Sequence, residues 1–272
     1  MSEGLLRVRR RALLRGLPAV ACAAVASRFV HAASHRPQLQ PTAETVPIAG
    51  VDGLSGLLVK PAPSGRWSAV LVGHDERGFD RHATDVAAGL AALGFLAIAV
   101  DYLSPEGGTP KDSAAATDMM RKLGFTSTLE RSRAVFAWLK QRPDCTGKIG
   151  ALGFGWGGGV ATDLAVIEPA LTAAVSYYGP QSSYFLGLEY KEMKAATMLH
   201  YAGRDRAINA GIAQFDGTIR NETSAPAPEI FVYTGADHGF ADDSDPHYEK
   251  PTADLAWSRS TAFLAKSLNG TS

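Results

Sequence analysis

Lys148-Ile149-Gly150-Ala151-Leu152-Gly153-Phe154-Gly155-Trp156-Gly157-Gly158-Gly159-Val160 is the stretch on which the reading of this chain turns. Its first half is short and largely apolar, as expected of a buried parallel strand. Its second half is glycine-dense and opens into a helix-like run from Val160 to about Glu168. Two chemistries use such a strand–turn–helix. In dinucleotide binding, Gly153, Gly155 and Gly158 would be the three glycines of G-x-G-x-x-G, with a pyrophosphate at the helix N-terminus. That mechanism also needs an acid at the end of the next strand to hold a ribose, and the next strand-like run ends Ser176-Tyr177-Tyr178-Gly179. In a nucleophile elbow, the central residue of G-x-Nuc-x-G projects from a sharp turn that small neighbours make passable. Here that central position is Gly155.

Working outward, strand-like and helix-like runs alternate along the chain. Strands are expected near residues 44–48, 54–59, 69–73, 95–100, 148–152, 173–177, 197–201 and 229–233. Val86, Leu90 and Leu93 keep a helical period that Gly94 closes. Ser127-Thr128-Leu129-Glu130 reads as a capping box ahead of Val135, Phe136 and Leu139, with Pro143 as the stop. A last amphipathic helix is expected over residues 254–268. This pattern predicts an α/β fold, a mostly parallel eight-stranded sheet with helices on both faces.

An elbow enzyme needs an acid and a base downstream of the turn, acid first. Thr197-Met198-Leu199-His200-Tyr201-Ala202-Gly203-Arg204-Asp205 is a strand-like run ending in an acid. The run 229–233 is followed by Thr234-Gly235-Ala236-Asp237-His238-Gly239-Phe240, which sets a histidine in a loop. Both residues fall at strand ends in the required order, which makes Asp205 and His238 the candidate acid and base.

At these residues the chain resembles the dienelactone hydrolase (carboxymethylenebutenolidase) family, from about residue 44 to 268. The shared pieces are Gly-Gly-Thr-Pro at 107–110, Arg-Pro-Asp-Cys-Thr-Gly-Lys at 142–148 and Gly-Phe-Gly-Trp-Gly-Gly-Gly at 153–159. They continue with His-Tyr-Ala-Gly-Arg-Asp at 200–205, Ile-Asn-Ala-Gly at 208–211 and Asp-His-Gly-Phe at 237–240. The resemblance implies an α/β-hydrolase fold, no cofactor, no metal, and a Cys–Asp–His triad. Asp205 and His238 then correspond to the acid and base, and the cysteine falls on Gly155. The family's glutamate after the third strand falls on Asp75, within His74-Asp75-Glu76-Arg77-Gly78. The oxyanion hole, built from backbone N–H groups, would be supplied by Trp156 and Glu76.

Covalent acyl transfer needs a side-chain nucleophile, which Gly155 lacks. Three readings therefore stand: an ester or lactone hydrolase in which His238 and Asp205 activate water, a non-catalytic protein binding a small ester, lactone or carboxylate, and a dinucleotide-binding protein. Cys145, Ser176 and Ser182 are poor substitutes for the nucleophile, since Cys145 precedes the strand and the two serines follow a different one.

Of the 272 residues 46% are hydrophobic, ample for a core. Zero net charge conceals an uneven distribution. Residues 1–33 hold six arginines and one acid, leaving 21 bases against 26 acids in residues 34–272. With no basic stripe, nucleic-acid binding is disfavoured. Arg10-Arg11-Ala12-Leu13-Leu14-Arg15 and the small-residue run 19–26 resemble a twin-arginine export leader. The expected organisation is a leader over 1–33 and one domain over 34–272, located in the periplasm or secreted, with no stable membrane anchor once the leader is removed. The remaining cysteine, Cys145, excludes an internal disulfide in the processed chain.

Overall fold

The computed structural model describes residues 41–270, so the leader expected over 1–33 lies outside the described residues. Eight strands form one sheet: β1 (Thr42–Pro47), β2 (Ser55–Lys60), β3 (Trp67–Gly73), β4 (Leu96–Asp101), β5 (Cys145–Phe154), β6 (Ala173–Tyr177), β7 (Ala196–Ala202) and β8 (Glu229–Tyr233). Their spatial order is β1-β2-β4-β3-β5-β6-β7-β8. From β4 to β8 every pairing is parallel, whereas β1 with β2 and β2 with β4 are antiparallel. The expectation of a mostly parallel sheet is met, with antiparallel strands at one edge only.

The helices are α1 (Arg81–Ala92), α2 (Ser113–Gln141), α3 (Trp156–Ile167), α4 (Ser182–Phe185), α5 (Arg206–Asn209), α6 (Ile212–Glu222) and α7 (Lys250–Asn269). Alternation along the strands sorts the core into two faces. Leu71, Ile98 and Ala151 point into a cluster with α2, α3 and α6, while Val72, Ala99 and Leu152 point into another with α1 and α7. Residues one step apart in a strand face opposite sides, so strands buried on both faces carry continuous apolar runs.

The helix starts differ from the capping-box reading. α2 begins at Ser113, capped by the Asp112 side chain accepting from Ala115 N, and breaks at Gly124 (φ 75°, ψ 163°). The second half restarts at that break, ahead of Ser127, because Gly124 leaves helical φ/ψ, and Thr128 Oγ1 donates to Gly124 O at 2.8 Å in its first turn. Pro143 does end the helix, which stops at Gln141. Gly94, at φ 95°, terminates α1 as expected. The short helices α4 and α5 carry too few periodic apolar residues to have been read from the sequence, whereas α6 sets Ile212, Phe215 and Ile219 on one buried face.

Candidate active site

The elbow forms as the glycines suggested. β5 ends at Phe154, Gly155 turns the chain at φ 47°, ψ −114°, and α3 starts at Trp156. An L side chain rarely adopts that conformation, and glycine meets no Cβ penalty there. The flanking glycines serve close packing. A Cβ on Gly153 would lie 2.1 Å from Gly157 O, and one on Gly157 would lie 2.5 Å from Gly73 C. Beside Gly155 the space a pyrophosphate would need is taken by the Glu76 carboxylate, 3.0 Å from its Cβ position, which argues against the dinucleotide reading.

Hydrogen bonds fix the elbow to neighbouring loops. Gly155 N donates to Tyr177 O at 3.0 Å, and Gly157 N donates to His74 O at 3.0 Å. His74 is fully buried, with Nδ1–H donating to Asp75 O at 2.8 Å and Nε2 accepting from Tyr102 N at 3.3 Å. Burial lowers its pKa, so the ring is neutral, which this donor–acceptor pattern requires. His74 thus orders the turn carrying residues 75–77 against the elbow. The backbone N–H groups of Trp156 and Glu76 have no hydrogen-bond acceptor among the described residues, as a pair of oxyanion donors would require.

Asp205 and His238 meet because the loops after β7 and β8 are tied together. Gly203 N donates to Tyr233 O at 2.9 Å and Arg204 N to Ala236 O at 3.0 Å, while Arg204 pairs with Asp237 at 3.0 Å. Asp205 caps α5, accepting from Ile208 N through Oδ1, which leaves Oδ2 for His238 Nδ1 at 2.6 Å. That bond fixes the tautomer, Nδ1–H donating, so that Nε2 presents its lone pair. Nε2 lies 3.6 Å from the position a Cβ on Gly155 would take. Histidine, acid and elbow therefore converge on one point.

The glutamate position departs from the sequence reading. Asp75 borders the elbow only through its Cβ, 3.3 Å from the Gly155 Cβ position. Its carboxylate turns away to Arg77, accepting from Nε at 2.8 Å, from Nη2 at 2.6 Å and from Arg77 N at 2.8 Å. Arg77 also pairs with buried Asp242 and with Asp245, so the guanidinium holds the loop after β3 against the loop after His238. The carboxylate that faces Gly155 belongs to Glu76, with Oε2 3.0 Å from the same Cβ position. The family resemblance could not reveal this exchange, because Asp242, which arrives from 165 residues along the chain, and Asp245 draw Arg77 aside.

Tyr178 is a second residue that sequence reasoning missed. Its φ of 41° is the only positive value among the described non-glycine residues. The ring is buried 4.7 Å from the His238 imidazole and 5.4 Å from Phe240, centroid to centroid. A bulky residue in the left-handed region is a strained placement, and here it walls one side of the imidazole. At the start of α3 Trp156 stacks on Phe125 at 3.9 Å, with Nε1 donating to Thr128 Oγ1 at 3.3 Å.

The alternative nucleophiles are elsewhere. Cys145 is buried at the start of β5, at the far end of the strand from Gly155, and burial raises its pKa. Ser182 Oγ donates to Asp163 Oδ2 at 2.6 Å, and Ser176 Oγ packs on Gly158 and Gly179. A cavity of about 310 Å³ between α1 and α7 is lined by His82, Phe154, Tyr177 and Trp257 and includes none of Gly155, Asp205 or His238. His82, Asp242 and Asp243 lie within 4.8 Å of one another, but Arg77 already pairs with Asp242 and Arg81 with Asp243.

The sequence profile of the dienelactone hydrolase family matches residues 54–268. The chain belongs to the dienelactone hydrolase family. Among its relatives is a Bradyrhizobium protein described as "Probable 2-oxo-3-(5-oxofuran-2-ylidene)propanoate lactonase", 28% identical over 241 residues, covering 81% of this chain and 93% of that one. The fold is shared with a dienelactone hydrolase from Anabaena variabilis, with a TM-score of 0.64 at 22% identity over 85% of this chain and 99% of that one. It is also shared with a dienelactone hydrolase-like promiscuous phosphotriesterase from metagenomic libraries, with a TM-score of 0.69 at 22% identity over 84% of this chain and 98% of that one. Family membership makes the α/β-hydrolase architecture, including its elbow, an inherited feature of this chain.

Proposed function

We propose that this protein hydrolyses a small carboxylic ester or lactone slowly, with His238 and Asp205 activating water in place of a covalent nucleophile. The observation that carries this reading is the approach of His238 Nε2 to within 3.6 Å of the Gly155 Cβ position, with Nδ1 held by Asp205. His238 takes a proton from water, Asp205 stabilises the imidazolium, and the N–H groups of Trp156 and Glu76 donate to the developing oxyanion. Triad enzymes stripped of a member keep roughly 10³–10⁴-fold acceleration over water from the remaining groups, which sets the expected scale. The substrate class follows from the family and from the lactonase relative. The leader-like residues 1–33 support export to the periplasm or beyond, which N-terminal sequencing of a periplasmic fraction tests.

Hydrolysis of p-nitrophenyl acetate tests the central claim. Wild-type protein should exceed the buffer rate, and His238→Ala should return it to that rate. Equal rates for the two proteins would exclude water activation by His238. Gly155 itself favours a second reading, a protein that binds an ester or carboxylate without turning it over; a wild type that shows no turnover but a ligand-dependent rise in Tm would select it.

A further inference from the structure

We propose that Glu76 is a catalytic residue, and that its carboxylate and His238 together hold the hydrolytic water against the bare face of Gly155. This rests on the hydrolase reading above and assigns the part that reading leaves open, namely what orients the water once the nucleophile side chain is gone.

The argument starts from three positions. The ideal Cβ site of Gly155 lies 3.0 Å from Glu76 Oε2 and 3.6 Å from His238 Nε2. Both atoms are acceptors, since Nδ1–H of His238 is committed to Asp205 and a carboxylate has no proton to give. Two acceptors aimed at one small volume are matched by a molecule with two donor hydrogens. A water just beyond that point, in van der Waals contact with Gly155 Cα, would donate one hydrogen to each, leaving its lone pairs free for a carbonyl carbon. A Cβ at the elbow position would crowd that water, so the site depends on residue 155 being glycine.

Glu76 is free to do this. Neighbouring acids in the loop are taken: Asp75 by Arg77, Asp242 by Arg77 and Ser244, and Asp245 by Arg77 and His247. Among the described residues Glu76 forms no ion pair and no side-chain hydrogen bond. The turn holding it is fixed by His74 Nδ1–H on Asp75 O and by Gly78 N on Asp75 O at 3.2 Å. One residue would thus supply both an oxyanion donor, through its N–H, and a water anchor, through its carboxylate.

In the step itself the water oxygen bonds to the ester carbonyl carbon while one water proton passes to His238 Nε2. The second hydrogen stays on the attacking oxygen, hydrogen-bonded to the Glu76 carboxylate. The carbon–oxygen bond to the alcohol portion then breaks, and that oxygen takes the proton back from His238. Ester and water give carboxylic acid and alcohol, or a hydroxy acid from a lactone, with His238 and Glu76 returned to their starting states.

The test compares kcat and KM for p-nitrophenyl acetate in wild type, Glu76→Gln, Gly155→Ala and Gly155→Ser, with intact-protein mass spectrometry during turnover. The amide of Glu76→Gln is a weaker, neutral acceptor, and kcat should fall about 10²-fold with KM unchanged, in the range for a positioned acid–base group. In Gly155→Ala the methyl group crowds out the water, and kcat should fall to the His238→Ala level. Gly155→Ser puts a Cβ at the same φ but brings its own hydroxyl, so it should retain or gain activity and thereby show that a side chain at this φ still folds. No acyl adduct should appear on the wild-type protein. An unchanged kcat in Glu76→Gln, or full activity in Gly155→Ala, overturns the proposal while leaving the hydrolase reading standing if His238→Ala is inactive. An acyl adduct lost in Glu76→Gln overturns it in another way, by making Glu76 a covalent nucleophile. A wild type without activity removes both.

Discussion

Asp163, in the middle of α3, should make this protein less stable as pH rises, and Asp163→Asn should remove that dependence. Its side chain is fully buried, with Oδ2 accepting from Ser182 Oγ at 2.6 Å and Oδ1 lacking a partner. Burial pushes its pKa from 3.8 up to about 7, only partly offset by the hydrogen bond from Ser182. The sign follows from proton counts. Between the unfolded and folded pKa values the native state holds a proton that the unfolded chain has lost, so stability is complete below about pH 4. It then declines as pH climbs through about 7. Three pKa units correspond to about 4 kcal/mol over the whole window, of which about 2–3 kcal/mol falls between pH 5 and pH 8. Asparagine is nearly isosteric, can bond Ser182, and carries no titrating proton. Urea unfolding of both proteins at pH 5 and pH 8 isolates the effect, since every other titrating group cancels in the difference. Asp163→Asn should gain about 2–3 kcal/mol on wild type between the two pH values. Parallel pH profiles for the two proteins would refute the argument, because a carboxyl that titrates alike in folded and unfolded chains cannot be paying a burial penalty.

Gly155→Cys should raise p-nitrophenyl acetate hydrolysis at least about tenfold over wild type, because the thiol lands one bond from a Cβ that is 3.6 Å from His238 Nε2; steady-state rates with a burst phase check it. Gly153→Ala should lose more than about 3 kcal/mol or fail to express soluble protein, since its methyl group would sit 2.1 Å from Gly157 O, which is backbone and cannot step aside. Arg77→Ala should cost about 3 kcal/mol by thermal or urea unfolding, because it strands the buried Asp242 carboxylate. It should also lower kcat, by releasing Asp75 and with it the turn that aims Glu76.

Much of the fold was legible in the residues. The parallel strands β3 to β7 were readable because a strand buried on both faces needs continuous apolar sequence, as in Ala69-Val70-Leu71-Val72. Gly94 and Pro143 marked helix ends through local backbone chemistry alone. Local signals also misled: Ser127 has the capping-box pattern, yet the helix restarts at Gly124, where Thr128 bonds back to its carbonyl.

The sequence by itself determined the order of the strands, the elbow at Gly155, and the candidate acid and base after two of the later strands. Each of these is encoded by neighbours in the chain, through periodicity, turn chemistry or position after a strand. Which carboxylate faces Gly155 was decided only by the tertiary structure. Asp75 and Glu76 are adjacent acids, and the family resemblance pointed to Asp75. Arg77 settles the matter by binding Asp75 while reaching across to Asp242 and Asp245, leaving Glu76 turned toward His238. That choice depends on charges brought together from distant parts of the chain. The side-chain-free elbow is therefore flanked by a carboxylate and an imidazole whose convergence no local pattern records.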